Sequence, residues 1–190
     1  MKRVLRQTPN ILSALRLFLA PVAAWLILSG RDVEALCVFA FAGMTDAADG
    51  YLAKTFGLAS RFGAWLDPIA DKLLMLASYL SLTYIGAVPL WLTVMVIGRD
   101  LLIVLGVGLA RLWALPLEVK PLMVGKVSTV IQVLYIALVL LLLTLQEPPA
   151  VYEQIGEISV AVLALWSLLA YGQVWIRAAL RRVPQGDSSP

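Results

Sequence analysis

Polar residues are sparse along this chain and come in short groups that separate long apolar blocks. The blocks cover roughly 11–29, 34–55, 64–86, 88–112, 121–146 and 153–177. Each is close to the ~20 residues that cross the hydrocarbon core of a bilayer as a helix. Ser29-Gly30-Arg31-Asp32 predicts a polar turn and Gly86-Ala87-Val88-Pro89 a tight one. Pro116 to Pro121 interrupts the next connection, and Gln146-Glu147-Pro148-Pro149 the last. The pattern predicts an all-α fold: an integral membrane bundle of six transmembrane helices. A short N-terminal juxtamembrane segment, Met1 to Gln7, is either an orientation signal or a stretch lying on the anionic leaflet. A basic start followed by an apolar run also resembles a signal peptide. No small-residue cleavage site precedes Ser29, so the run is read as an uncleaved first span. Residues 1–182 are expected to form one membrane domain with no separate soluble domain, and 183–190 a flexible tail.

Composition strengthens the membrane reading. Of 190 residues 61% are hydrophobic, and the mean hydropathy is +0.89, whereas soluble domains are closer to half apolar. The net charge of +3 comes from basic residues that flank apolar blocks, which suits membrane orientation and anionic headgroups better than nucleic acid. Lys2, Arg3, Arg6, Lys54, Arg61, Arg111, Lys120, Arg177, Arg181 and Arg182 fall on one side of a six-span topology. The other side has Arg31 against Asp32, Glu34, Glu147 and Glu153. Both termini and the second connection are therefore expected in the cytoplasm. The chain has one cysteine, Cys37, and no histidine. That excludes an intrachain disulfide, a thiolate metal site, imidazole bases and histidine-ligated metals. The chemistry is left to carboxylates, Lys, Arg and hydroxyls.

The second and third blocks carry carboxylates where a bilayer makes charge expensive. Asp46, Asp49, Gly50 and Ala53 share one helix face, as do Gly63, Asp67 and Asp71. If both faces meet, four carboxylates converge with no softer ligand nearby, which suits Mg²⁺, Mn²⁺ or Ca²⁺. Ala47, Ala48, Gly50 and Ala53 leave room for a phosphate-bearing ligand. Two alternatives stand beside this. Asp67, followed by Pro68, is also placed to cap a helix, and intramembrane acids also line proton or cation pathways, so a small cation transporter is the competing class. A transporter predicts acids spread over several spans and an inverted repeat, neither of which the sequence shows.

The run Asp46-x2-Asp49-Gly50-x2-Ala53-Lys54-x8-Gly63-x3-Asp67-x3-Asp71 resembles the signature of the CDP-alcohol phosphotransferases, with Lys54 where the family has Arg. Lysine keeps the charge and loses the bidentate fork. The resemblance implies a binuclear site of Mg²⁺ (or Mn²⁺) held by Asp46, Asp49, Asp67 and Asp71, with Asp71 also accepting the proton. It implies that Asn10, Gly50, Lys54, Ser60 and Gly63 surround the CDP group, and that the enzyme is a homodimer. Asn10 is also placed for a plain helix N-cap.

The alcohol acceptor is set outside that signature. Arg99-Asp100, Lys120, Lys126 and Gln132 are the candidates, with Arg99 and Lys126 the acceptor-binding pair. An Arg99–Asp100 ion pair and an interfacial Lys120 are the plainer readings. Gly98-Arg99-Asp100 and the Lys126-Val127-Ser128-Thr129-Val130-Ile131-Gln132 run are similar to the CMP-forming cardiolipin synthase branch. Pro9-Asn10-Ile11-Leu12-Ser13 and Leu66-Asp67-Pro68-Ile69-Ala70-Asp71-Lys72 fit the phosphatidylglycerophosphate synthases nearly as well. The first branch implies CDP-diacylglycerol and phosphatidylglycerol as substrates, the second glycerol 3-phosphate as acceptor. An Arg- and Ser-rich presequence is not seen, so a bacterial inner membrane is the expected location.

Overall fold

The computed structural model describes residues 2–56, 63–112, 123–146 and 151–180. Within these, side chains are described from Ser13 to Asp46, from Asp67 to Leu112 apart from 107 and 109–111, from Met123 to Gln146 and from Tyr152 to Ile176. Six helices occur in chain order: α1 (Lys2–Leu28), α2 (Asp32–Phe56), α3 (Gly63–Tyr84), α4 (Leu90–Leu112), α5 (Met123–Leu145) and α6 (Val151–Leu180). Among the described residues there is no strand, so the fold is all-α as expected.

The two predicted glycine turns have a common cause. Gly30 and Gly86 adopt φ of 67° and 80°, and each closes the preceding helix in the same way. Gly30 N–H donates to Ile27 and Arg31 N–H to Leu26, while Gly86 N–H donates to Thr83 and Ala87 N–H to Leu82. These paired bonds satisfy carbonyls that a helix end leaves open, and glycine enters the left-handed region without a Cβ penalty. The connections around Lys120, the 147–150 segment and the 183–190 tail lie outside the described residues.

Three sequence expectations change. The segment 2–7 is continuous with α1, not a separate juxtamembrane piece. Asn10 therefore sits well inside a helix, which removes its N-cap reading. Asp67 likewise lies beyond the first turn of α3, with Pro68 inside the helix, so it is not the cap.

Helix α1 packs against α2 and α3, α5 against α2 and α6, and α4 against α3 and α6. Fully buried Ala20, Ala23, Ala35 and Ala42 let α1 and α2 approach closely. Tyr79 and Tyr135 stack at 6.5 Å between ring centroids and join α3 to α5. Large apolar side chains face outward on every helix, among them Phe18, Met44, Leu80, Leu102, Leu134 and Leu169. A water-solvated monomer rarely exposes so much contiguous apolar surface. Among the described residues, Met123–Leu145 and Tyr152–Ile176 are long and apolar enough to cross a bilayer by length and composition. Ser13–Leu28 of α1 is a shorter apolar stretch, and α3 carries Asp67, Asp71 and Lys72 in its first half.

A Cβ at Gly156 falls 2.7 Å from the Tyr135 ring, which is itself pinned against Tyr79. Gly156→Ala is predicted to destabilise the bundle by ~1–3 kcal/mol through overpacking. Gly108→Ala, where no atom lies within 4 Å, serves as the neutral control. Thermal unfolding of the detergent-solubilised variants checks the contrast.

Candidate active site

Three helices bring charge to one point. Ser13 and Arg16 lie three apart on α1, Asp46 comes from α2, and Asp67 and Asp71 lie four apart on α3, so each set shares a face. The Arg16 side chain is fully buried. Its Nη1 donates to Asp46 Oδ1 at 2.5 Å and also to Asp71 Oδ1, while Nη2 donates to Asp67 Oδ1. Ser13 Oγ donates to Asp67 Oδ1 at 3.2 Å. One carboxylate oxygen from each aspartate lies within 4.8 Å of the other two. The aspartate side chains keep 40–47% of their surface, so the cluster is closed on the α1 side and open on the other.

The open side leads into a cavity of about 270 Å³. Arg16, Asp46 and Asp71 form its charged head. Phe39 lies two turns before Asp46 on α2, Leu74 and Met75 follow Asp71 on α3, and Val133 closes it from α5. An amphipathic ligand fits that shape, with its polar group at the aspartates and its chain along the apolar wall.

The donor set fits a divalent cation. All the candidate ligands are carboxylate oxygens, the hard donors that Mg²⁺ or Mn²⁺ selects. Three carboxylates around one guanidinium leave two negative charges, which a divalent ion balances. Asp49 and Gly50 continue the Asp46 face of α2 in backbone position. The side chains of Asn10, Asp49 and Lys54 are not among those described, and Ser60 lies outside the described residues altogether. Gly63 is the first residue of α3.

Of the two acceptor candidates, Arg99 is buried. It donates to Asp100 at 2.6 Å and to Ser167 of α6 at 2.5 Å. Lys126 is exposed on α5, one turn before the cavity-lining Thr129 and Val130. Gln132 is buried and donates to Ser128. The sequence pattern assigns no role to Arg16, Ser13 or Lys72. For Arg16 the signal was present: a cation inside an apolar run, where an ionisable side chain marks a site by default.

Removing Arg16 leaves three neighbouring carboxylates without their shared partner. Loss of one member of a buried ion pair costs ~3–5 kcal/mol, and the half-exposed aspartates put Arg16→Met at the lower end. Millimolar Mg²⁺ is predicted to restore much of the variant's thermal midpoint, whereas NaCl of equal ionic strength does not. Equal recovery in both salts would contradict the divalent fit.

Comparison with known proteins gives the family. The family model for CDP-alcohol phosphatidyltransferase matches residues 6–176. The CMP-forming cardiolipin synthase of Rattus norvegicus is 37% identical over 163 residues, 77% of this chain and 54% of that protein. This chain thus spans about half the length of that relative. A probable phosphatidylglycerophosphate synthase of Mycobacterium tuberculosis is 34% identical over 181 residues, 92% of this chain and 82% of that protein. The CMP-forming cardiolipin synthase of Streptomyces coelicolor is 39% identical over 109 residues, 54% of this chain and 51% of that protein. With the family model matching residues 6–176, most of its length, this chain belongs to the CDP-alcohol phosphatidyltransferases.

Proposed function

We propose that this chain transfers the phosphatidyl group of CDP-diacylglycerol to phosphatidylglycerol, forming cardiolipin and CMP. The carrying observation is the convergence of Asp46, Asp67 and Asp71 on Arg16 at the head of an amphipathic cavity. Asp46, Asp49, Asp67 and Asp71 would hold two Mg²⁺ ions, with Mn²⁺ as a substitute. Those ions supply positive charge at the pyrophosphate and at the departing CMP.

The rest is the work of side chains. Arg16 and Ser13 hold Asp67 in place, and Arg16 spaces Asp46 from Asp71. Asn10, Gly50, Lys54, Ser60 and Gly63 would surround the CDP group, with Lys54 giving charge without a bidentate grip. The glycerol hydroxyl oxygen of the acceptor attacks the phosphorus that carries diacylglycerol. The bond from that phosphorus to the CMP oxygen breaks, and the hydroxyl proton passes to Asp71. Lys126 is the favoured contact for the acceptor phosphate, since it lies on the cavity side of α5 one turn above Thr129. Arg99 is already committed to Asp100 and Ser167, which supports an indirect part for it.

Glycerol 3-phosphate is the second reading for the acceptor. The mycobacterial relative favours it by matching over more of both chains than the cardiolipin synthases do. In either case the enzyme is read as a six-span homodimer in a bacterial cytoplasmic membrane. The aspartate end then faces the cytoplasm, as the basic flanking residues require.

Purified protein with CDP-diacylglycerol and Mg²⁺ is expected to release CMP and form cardiolipin when phosphatidylglycerol is supplied, and to stop in excess EDTA. Phosphatidylglycerophosphate formed from glycerol 3-phosphate alone would move the protein to the second reading. Asp46→Asn or Asp67→Asn should lower turnover by ~10²-fold or more, since each removes a charge worth several kcal/mol to the transition state. Lys54→Arg should retain activity. Near-normal turnover by either Asn variant would overturn the site assignment.

A further inference from the structure

The cavity headed by Asp46 and Asp71 holds one polar group that the transfer step leaves unused. Among the described residues that line it, Arg16 is bound to the aspartates, and Thr129 of α5 carries the one hydroxyl. The rest of that wall, away from Asp46 and Asp71, is glycine or apolar. A hydroxyl set into an apolar wall costs free energy unless it has a partner. The internal partner of Thr129 is a weak one. Its Oγ1 donates to the Gly125 carbonyl one turn back at 3.2 Å, which is long for a hydroxyl donor. That bond uses the proton of the hydroxyl and leaves its two lone pairs. Thr129 is half-buried, so a ligand in the cavity can reach them. Its polar neighbours on α5 are differently placed. Ser128 and Gln132 are buried and bonded to each other, and neither lines the cavity.

The height of Thr129 is fixed by packing. A Cβ at buried Gly125 would fall 3.2 Å from the Tyr171 hydroxyl of α6 and 3.4 Å from Arg99 Nη2 of α4. The turn from Gly125 to Thr129 is therefore docked against both helices. Lys126 belongs to that turn and stands ~4.5 Å from Thr129 along the helix axis. Asp71 of α3 shares the cavity with Thr129. One side of the site thus offers a cation, a neutral hydroxyl and a carboxylate. A glycerol phosphate headgroup carries the matching series: phosphate, secondary hydroxyl, primary hydroxyl. Phosphatidylglycerol and free glycerol 3-phosphate have it in common.

We propose that Thr129 reads the secondary hydroxyl of the glycerol acceptor and thereby positions the primary hydroxyl at Asp71. The secondary hydroxyl donates to Thr129 Oγ1, which keeps its own bond to Gly125. With the phosphate at Lys126, the headgroup is held at two points, and its reacting end is restricted to the vicinity of the base. An acceptor lacking the secondary hydroxyl is held at one point and swings. Arg99 and Tyr171 act at one remove, by seating the turn that carries Thr129. This inference rests on the phosphatidyl-transfer reading above and applies to either glycerol acceptor.

The test is a cycle of enzyme variant against acceptor, in mixed micelles with CDP-diacylglycerol and Mg²⁺. The acceptors are phosphatidylglycerol and the phosphatidyl ester of 1,3-propanediol, which lacks only the secondary hydroxyl. Wild type should use the analogue with a kcat/KM about tenfold lower, the scale of one neutral hydrogen bond. Thr129→Val removes the hydroxyl and keeps the side-chain shape. It should lose about tenfold on phosphatidylglycerol and less than about twofold on the analogue, so that discrimination disappears. Thr129→Ser should restore the discrimination, and the KM for CDP-diacylglycerol should stay within about twofold in both variants. If glycerol 3-phosphate is the acceptor that wild type uses, the same pattern is expected with 3-hydroxypropyl phosphate as its analogue. Equal losses by Thr129→Val on both acceptors would show a packing role and overturn the proposal. So would a wild type that does not discriminate, and in both cases the phosphatidyl-transfer reading stands. No CMP release by wild type with either glycerol acceptor overturns that reading and this inference together.

Discussion

Everything at the aspartate end of this bundle depends on one buried guanidinium. In a low-dielectric interior an isolated charge is prohibitively expensive, and Arg16 is fully enclosed. It is tolerable because three carboxylates from two other helices meet it. The same contact draws Asp46 of α2 toward Asp67 and Asp71 of α3 across α1. Like charges do not otherwise gather within 4.8 Å. Arg16 therefore organises the ligand set, and the surplus negative charge it leaves is what gives the cluster affinity for a divalent ion.

The surroundings turn that cluster into a lipid-handling site. Among the described residues the aspartates open into a cavity with apolar walls from α2, α3 and α5. The polar chemistry is confined to one end of the helices, and the outward faces remain apolar along their length. Substrates with charged heads and hydrocarbon tails can then present both parts without either one being misplaced in solvent.

Much of this was legible in the residue pattern. Apolar block lengths located five helices within a few residues at both ends, whereas α1 begins nine residues before its apolar block, and Gly30 and Gly86 marked two of the ends because a left-handed residue is needed there. The i, i+3 and i, i+4 offsets of the aspartates identified their faces without any structure. What could not be read was which element stands between those faces. The pattern suggested that α2 and α3 meet directly, whereas α1 lies against both. Arg16 was passed over for that reason, since a single cation in an apolar run does not name its partners. Arg99 shows the reverse limit: its sequence neighbour Asp100 was visible, but Ser167, 68 residues away, was not. The pairing of Lys72 with Asp100 between α3 and α4 is likewise encoded by no local periodicity.

The most direct test of the central claim is Mn²⁺ binding to the purified protein, followed by electron paramagnetic resonance in the presence of CDP-diacylglycerol. The account predicts two ions per chain with the coupled spectrum of a close pair, and loss of that signal in Asp71→Asn. Absence of bound Mn²⁺ in the wild type, or binding unaltered by Asp71→Asn, would contradict it.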